Sequence, residues 1–160
     1  MLDLVGTLDS FEFRTATRGD IAVLVPLYQE FFDESTLPSL GLKFDADSTR
    51  RWLERVLPNR SPHLLALAPD GRLAGSVNYR LDHDGLVRPY ASLDKFYVRP
   101  AYRKTGLGRL LLTFVLNEAR ADGAVAFRAG VSSGFGSAVN LFRKCGFAVC
   151  DGSVLLERKL

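Results

Sequence analysis

The sequence predicts an α/β fold of the α+β kind, with one mixed central sheet, and three observations carry that expectation. Short apolar runs and helical patterns follow one another in the order β-α-α-β-β-β-α-β-α-β-β. Two tight turns, Pro69-Asp70-Gly71 and Asp151-Gly152, fold their flanking strands into antiparallel hairpins. A strand, a helix and a strand over residues 91 to 131 supply one parallel crossover. The 160 residues are expected to form a single domain over 1–160, because no repeat, linker or low-complexity stretch divides them.

Each element has a local cause. FEFRTAT, residues 11 to 17, alternates apolar and polar side chains as a half-buried strand does. Asp20 is placed to cap a helix over Ile21 to Phe32, which gathers Leu24, Leu27, Tyr28 and Phe31 on one face. Pro38 and Gly41 punctuate a loop. A second helix over Asp47 to Leu57 repeats Trp52, Leu53, Val56 and Leu57 at helical spacing and stops at Pro58. Strands over 63–68 and 72–81 flank the Pro-Asp-Gly turn, and ASLDKFYV (91–98) is the next strand. Leu107, Leu110, Leu111, Phe114 and Val115 trace a third helix that ends near Gly123. Residues 124–131 read as a strand and 138–145 as a short helix closed by Gly146. FAVC (147–150) and VLLERKL (154–160) pair as a last hairpin.

Composition narrows the function. The 21 basic and 18 acidic residues nearly cancel, and no aromatic-basic pattern accompanies them, so nucleic acid is not an expected partner. The apolar run LLLTFVL is only seven residues long, so no membrane span is expected. The N-terminus lacks a basic segment followed by a long apolar one, so a cytoplasmic location is the default. Cys145 and Cys150 make no disulfide framework, and no Cys/His spacing suggests a metal site.

The most informative stretch is VRPAYRKTGLGR, residues 98 to 109. Arg99, Arg103, Lys104 and Arg109 fall within eleven residues that include no acid. The stretch leaves a strand and enters the first turn of a helix, where backbone N–H groups lack partners and the macrodipole is positive. Gly106 and Gly108 leave room for an anion to approach those donors. An ordinary basic turn would use the same residues, but the strand before and the helix after favour a phosphate or pyrophosphate site. Two known phosphate loops are excluded, since there is no G-x-x-x-x-G-K-[ST] and Leu111 fills the third position of G-x-G-x-x-G. Ser92-x-x-Lys95 and Lys104-Thr105-Gly106 match signatures of penicillin-recognising enzymes, but Ser92 lies in a strand and the motifs are too close together.

Arg103-Lys104-Thr105-Gly106-Leu107-Gly108 resembles the Arg/Gln-x-x-Gly-x-Gly/Ala signature of the GCN5-related N-acetyltransferases, the GNAT superfamily. The resemblance extends to LDKFYVRP (93–100), to AVNLFRKCGF (138–147) and to the opening FRTATRGDIAVLVPLY. It implies a GNAT fold: a sheet of about six to seven strands, a splayed parallel pair at strands 4 and 5, and four flanking helices. It implies acetyl-CoA as co-substrate, with the pyrophosphate on the backbone from Arg103 through Lys104, Thr105, Gly106, Leu107 and Gly108 to Arg109. It also implies a pantetheine arm along Phe96, Tyr97 and Val98, with Ala138 and Phe142 at the thioester end. The expected activity is direct acetyl transfer to a primary amine on a small molecule or peptide. A CoA-binding regulatory module is the alternative, and a homodimer is open.

The chain departs from the family at two positions. A tyrosine that often protonates the leaving thiolate is replaced by Phe142, and an asparagine three residues before Ala138 is replaced by Phe135. Ser132, Ser133, Cys145 or water would have to supply the proton instead. Asp94 is the expected base, facing away from Leu93, with Glu34 and His83 behind it. Glu30, Asp33 and Glu34 tilt the expectation toward a cationic acceptor, beside a pocket that Tyr28, Phe31, Phe32 and Phe44 would shape.

Overall fold

Five strands lie side by side in chain order: β1 (Glu12–Thr15), β2 (His63–Leu67), β3 (Leu73–Asp82), β4 (Tyr90–Val98) and β5 (Phe127–Arg128). The computed structural model describes residues 10–57, 59–83, 85, 89–131 and 136–150. Neighbouring strands are antiparallel except β4 and β5, which run parallel. Four α-helices accompany them: α1 (Ile21–Glu34), α2 (Ala46–Val56), α3 (Leu107–Ala121) and α4 (Gly136–Lys144).

The sheet is sandwiched. On one face α1 and α2 bury Leu24, Leu27, Tyr28 and Leu53 against Leu65 and Tyr97. On the other, Leu107, Leu111, Leu112 and Val115 of α3 pack with Phe142 of α4 against Ala66, Val77 and Tyr79. Leu65 and Ala66, neighbours on β2, therefore serve opposite cores, as the two-residue period of a strand requires. Each fully buried leucine contributes roughly 2 kcal/mol by leaving water.

The mixed sheet and its four helices match the predicted class, but the strand count is lower. Among the described residues there are five strands, not six to seven. Residues 147–150, expected in a hairpin, form no strand. Phe147 is held by its ring instead, with centroids 5.0 Å from Phe142 and 6.1 Å from Phe127. The predicted partner strand, 154–160, lies outside the described residues. Gly146 does close α4 as expected: at φ 88° it lets the Phe147 N–H reach the Phe142 carbonyl at 3.0 Å. β5 is much shorter than 124–131, for a reason located in β4 and described below.

Asp20 caps differently from the expectation. It ends a short 3-10 turn, Arg18–Asp20, and its carboxylate makes no cap bond to α1. It reaches back to Thr17, accepting from the backbone N–H at 2.8 Å, and it holds Arg14 through two bonds of 2.7 and 2.8 Å. The Arg14 hydrogen bonds outweigh partial burial and, with those from Thr17, hold the Asp20 carboxyl down at about 2.

Candidate active site

β4 carries a bulge. Asn78 of β3 lies opposite Lys95 and Tyr79 lies opposite Leu93, so Asp94 has no residue across from it. Leu93 and Phe96 pack on the α3 side, whereas Lys95 lies over the rings of Trp52 and Tyr28 on the α1/α2 side. Asp94 joins Lys95 there, facing away from Leu93 as predicted. Strict alternation would have put two adjacent side chains on opposite faces; the bulge gives them one.

Asn78, fully buried, builds this arrangement. Its Oδ1 accepts the Lys95 backbone N–H at 3.1 Å, a donor that the bulge would otherwise leave without a partner. Its Nδ2 donates to Asp94 Oδ2 at 3.1 Å and to Ser61 Oγ at 2.8 Å, and Ser61 Oγ donates on to the Tyr79 carbonyl. His63 lies beside this network, with Nδ1 2.6 Å from the Ser61 carbonyl. A carbonyl only accepts, so Nδ1 carries the proton and Nε2 is bare. Burial drives the imidazole pKa down to about 4, aided by Lys95 and resisted by Ser61, so His63 is neutral at pH 7. The Tyr28 hydroxyl and His63 Nε2 are buried with no hydrogen-bond partner among the described residues.

β4 and β5 share only two rungs, Ala91 with Phe127 and Ser92 with Arg128. Past the bulge the two strands part, and this is why β5 is short. The Arg99 N–H donates to Ala74 of β3 at 2.9 Å, so Val98 turns its own N–H and C=O the other way, toward the gap. On that side the main chain of Phe96 and Val98 meets no neighbouring strand among the described residues, although the Val98 carbonyl accepts from Arg103. A peptide-like arm could pair with this edge as an added strand.

The basic loop follows directly. Lys104, at φ 61°, and Gly106, at φ 91°, both adopt the left-handed conformation before Leu107 opens α3. For a lysine that conformation costs on the order of 1 kcal/mol, and such outliers gather where backbone must be aimed. No protein acceptor takes the backbone N–H groups of Lys104, Thr105, Gly106, Gly108 or Arg109 among the described residues. The opening donors of a helix normally need a cap; here those of Gly108 and Arg109 lack one and join the three loop amides before them. The two glycines do different work. Gly106 supplies the turn, whereas a Cβ on Gly108 would meet Leu141 Cδ2 at 3.2 Å and Phe96 Cζ at 3.4 Å. Gly108 therefore lets α3 approach α4 and β4 closely.

Arg103 does not project into this surface. Its Nε donates to the Val98 carbonyl at 2.8 Å and its Nη2 to Glu34 at 2.7 Å. Glu34 also accepts from the Tyr97 hydroxyl at 2.5 Å, and Glu30, one turn earlier, pairs with Arg99 at 3.0 Å. Partial burial opposes ionisation of Glu34, but the Tyr97 and Arg103 bonds outweigh it and hold its carboxyl below the ordinary range. Burial first, then Glu34, pushes the Tyr97 phenol up. These contacts fasten the C-terminal end of α1 to the end of β4. Asp33 accepts from Gln29 on the exposed side, and His83 is exposed.

Phe142 is 6% exposed and stacks edge-on with Phe96 and Phe147, while Ala138 packs on the same core. Cys145 packs there too, and Ser132, Ser133 and Phe135 lie outside the described residues. Phe31 contacts Tyr97 and Phe32 contacts Phe44, so these rings serve the packing of α1. A groove of about 700 Å³ between Ile21, Ser48, Arg51 and Arg55 shares no residue with the site. Sequence reasoning missed Asn78, His63 and Lys95. Their signal was present: a histidine and an asparagine stand among the apolar residues of two strand segments, HLLAL and LAGSVNY, at buried positions.

Known proteins resemble this chain in sequence and in fold. The model of the Acetyltransferase (GNAT) family matches residues 24–147. Curated relatives from Pseudomonas paraeruginosa and Pseudomonas aeruginosa, each an L-methionine sulfoximine/L-methionine sulfone acetyltransferase, are 26% identical over 145 residues, covering 88% of this chain and 81% of theirs. A predicted acetyltransferase from Clostridium acetobutylicum, solved with acetyl-CoA, superposes at a TM-score of 0.76, with 17% identity over 92% of this chain and 96% of that one. The structure of AAC(6')-Iy with the bisubstrate analogue CoA-S-monomethyl-acetylneamine superposes at 0.78, with 15% identity over 94% and 99%. The chain belongs to the GNAT acetyltransferase family and is an acetyl-CoA-dependent N-acetyltransferase. Its residues suit that co-substrate: amides of Lys104, Thr105, Gly106, Gly108 and Arg109 with no protein acceptor among the described residues for an anion, and a strand edge from Phe96 to Val98 without a neighbouring strand there for an amide-bearing arm.

Proposed function

We propose that this enzyme acetylates a primary amine by direct transfer in a ternary complex, with Asp94 as the base, within one domain spanning 1–160. Acetyl-CoA supplies the acetyl group as a thioester; the amine nitrogen bonds its carbonyl carbon, the C–S bond breaks, and CoA departs as the thiolate. The backbone amides of Lys104 to Arg109 hold the pyrophosphate, and the Phe96 to Val98 edge aligns the arm. Ala138 and Phe142 close the thioester end.

Only a neutral amine attacks, so its proton must go to a fixed acceptor. Asp94 is suited to that task because Asn78 aims its carboxylate through Oδ2, while Oδ1 meets only the Lys95 ammonium among the described residues, at 3.3 Å. That single placement, at the bulge where the strands part, carries the reading. Glu34 is engaged by Tyr97 and Arg103 and serves packing. Phe142 has no proton to give, so the thiolate is protonated by solvent, which a thiol of ordinary acidity tolerates. The relatives support an amine on a small molecule: two are named for amino-acid analogues and one was solved with an acetylneamine adduct. The test is Asp94→Asn, expected to lower kcat about 10²- to 10³-fold while CoA affinity stays unchanged. Unchanged kcat from pH 6 to 9 would remove Asp94 from the mechanism.

A further inference from the structure

We infer that the Asp94–Lys95 pair selects acceptors that carry a carboxylate beside the amine, that is, free α-amino acids or their close analogues. The inference rests on the acetyl-transfer reading above and names its substrate class.

The bulge puts opposite charges on consecutive residues of one face, with Nζ of Lys95 3.3 Å from Oδ1 of Asp94. That separation is long for a charge-assisted bond, which normally closes to 2.7–2.9 Å. Neither partner is sealed off, since the side chains are 24% and 30% exposed. Lys95 makes no other hydrogen bond from Nζ among the described residues. Its ammonium lies 4.0 Å from the centre of the Trp52 ring and 5.8 Å from that of Tyr28. The aromatic wall holds the cation in place while leaving its N–H groups to face an acceptor. It also lowers the local dielectric, which strengthens any ion pair formed there.

A group with an ammonium and a carboxylate on one carbon complements this arrangement in both signs. Its ammonium meets Asp94, the proposed base, and its carboxylate meets Lys95. A polyamine or other all-cationic acceptor would set a second positive charge against Lys95. A peptide N-terminus would offer Lys95 an amide in place of a carboxylate. The acidic residues near the end of α1, which alone suggest a cationic acceptor, do not counter this. Glu30 is neutralised by Arg99 and Glu34 by Arg103, while Asp33 lies on the exposed side, bonded to Gln29.

The test follows CoA release from acetyl-CoA with matched acceptors: an L-amino acid, its carboxamide, and the amine lacking the carboxyl group. Methionine, leucine and phenylalanine series are run in parallel. The expected kcat/KM is about 10- to 100-fold higher for the amino acid in at least one series. Lys95→Met should erase that preference by raising KM for the amino acid alone. Lys95→Arg should keep it, and also keeps the measurement informative if the methionine variant folds poorly. Equal or better use of the carboxamide or the simple amine overturns the inference while leaving acetyl transfer intact. A preference that survives in Lys95→Met overturns it as well. No CoA release from any amine, with CoA still bound, sinks the transfer reading and this inference together.

Discussion

Asn78 Nδ2 lies 3.1 Å from Asp94 Oδ2, and the same side chain accepts the Lys95 backbone N–H through Oδ1. One buried amide thus stabilises the β4 bulge and orients the carboxylate that the bulge presents. Its two functions are inseparable by deletion but separable by choice of replacement. Asn78→Leu removes these two bonds and the one to Ser61, leaving the Lys95 N–H and Ser61 hydroxyl short of partners, at about 1–3 kcal/mol. The expected result is a lower Tm and a kcat at least tenfold down. Asn78→Asp keeps an acceptor for Lys95 N–H but sets a second carboxylate against Asp94, so it should impair kcat more than Tm. Steady-state assays beside thermal melts check both.

Glu34 and Arg103 give a prediction about the donor site. Their pair is half exposed, so its loss should cost little stability, well under about 1 kcal/mol. Glu34→Gln releases the Arg103 guanidinium beside the amides of Lys104 to Gly106. CoA binding measured by calorimetry should become severalfold tighter at low salt, with the gain fading as ionic strength rises. Weaker binding instead would mean that the clamp shapes the loop.

Gly106 and Gly108 should respond differently to alanine. Gly106→Ala forces a Cβ into a left-handed residue, costing about 1 kcal/mol, and it disturbs the loop that carries the free amides. Loss of CoA affinity should exceed loss of Tm. Gly108→Ala pushes on Leu141 and Phe96 rather than on the loop. Its effect should register first in Tm, with CoA affinity moderately changed.

Asp20 supplies a pH prediction with a definite sign. Its carboxyl is held at about 2 against an ordinary 3.8, so folding stabilises the charged form. The contribution is complete above about pH 4 and disappears as pH falls toward 2. Asp20→Asn should lower Tm at pH 7, and the gap from the native enzyme should narrow between pH 4 and pH 2. A gap constant with pH would show that the Arg14 pair contributes nothing.

The sequence made the donor half of the site legible because that half is local. A glycine-bearing basic turn between a strand and a helix is contiguous in the chain, and its physics follows from the helix terminus alone. The order of strands and helices was readable for the same reason. Of the acceptor half, the sequence singled out Asp94 but not its surroundings. Asn78, His63, Lys95 and Trp52 come from four elements, and what joins them is a bulge that no period in LDKFYV announces. The short β5 escaped for a related reason: AVAFRAGV has strand character throughout, but strand length is set by the partner, and β4 offers two rungs. Arg103 stands in the basic cluster of the sequence, but the cluster does not reveal that a carboxylate 69 residues away claims its side chain.

β4 also constrains how this chain can change over time. Before the bulge, the odd-numbered residues Ala91 and Leu93 pack toward α3; after it, the even-numbered Phe96 and Val98 do. Loss or gain of a single residue within the strand would bring the two halves into step. Phe96 and Val98 would still face α3, but the bulge would vanish, and Asp94 and Lys95 would no longer stand side by side on one face. Point replacements in this strand can be graded and compensated; a one-residue length change cannot. Lineages of this enzyme should therefore drift freely in β4 composition at exposed positions while keeping the residue count between Ala91 and Val98 unchanged.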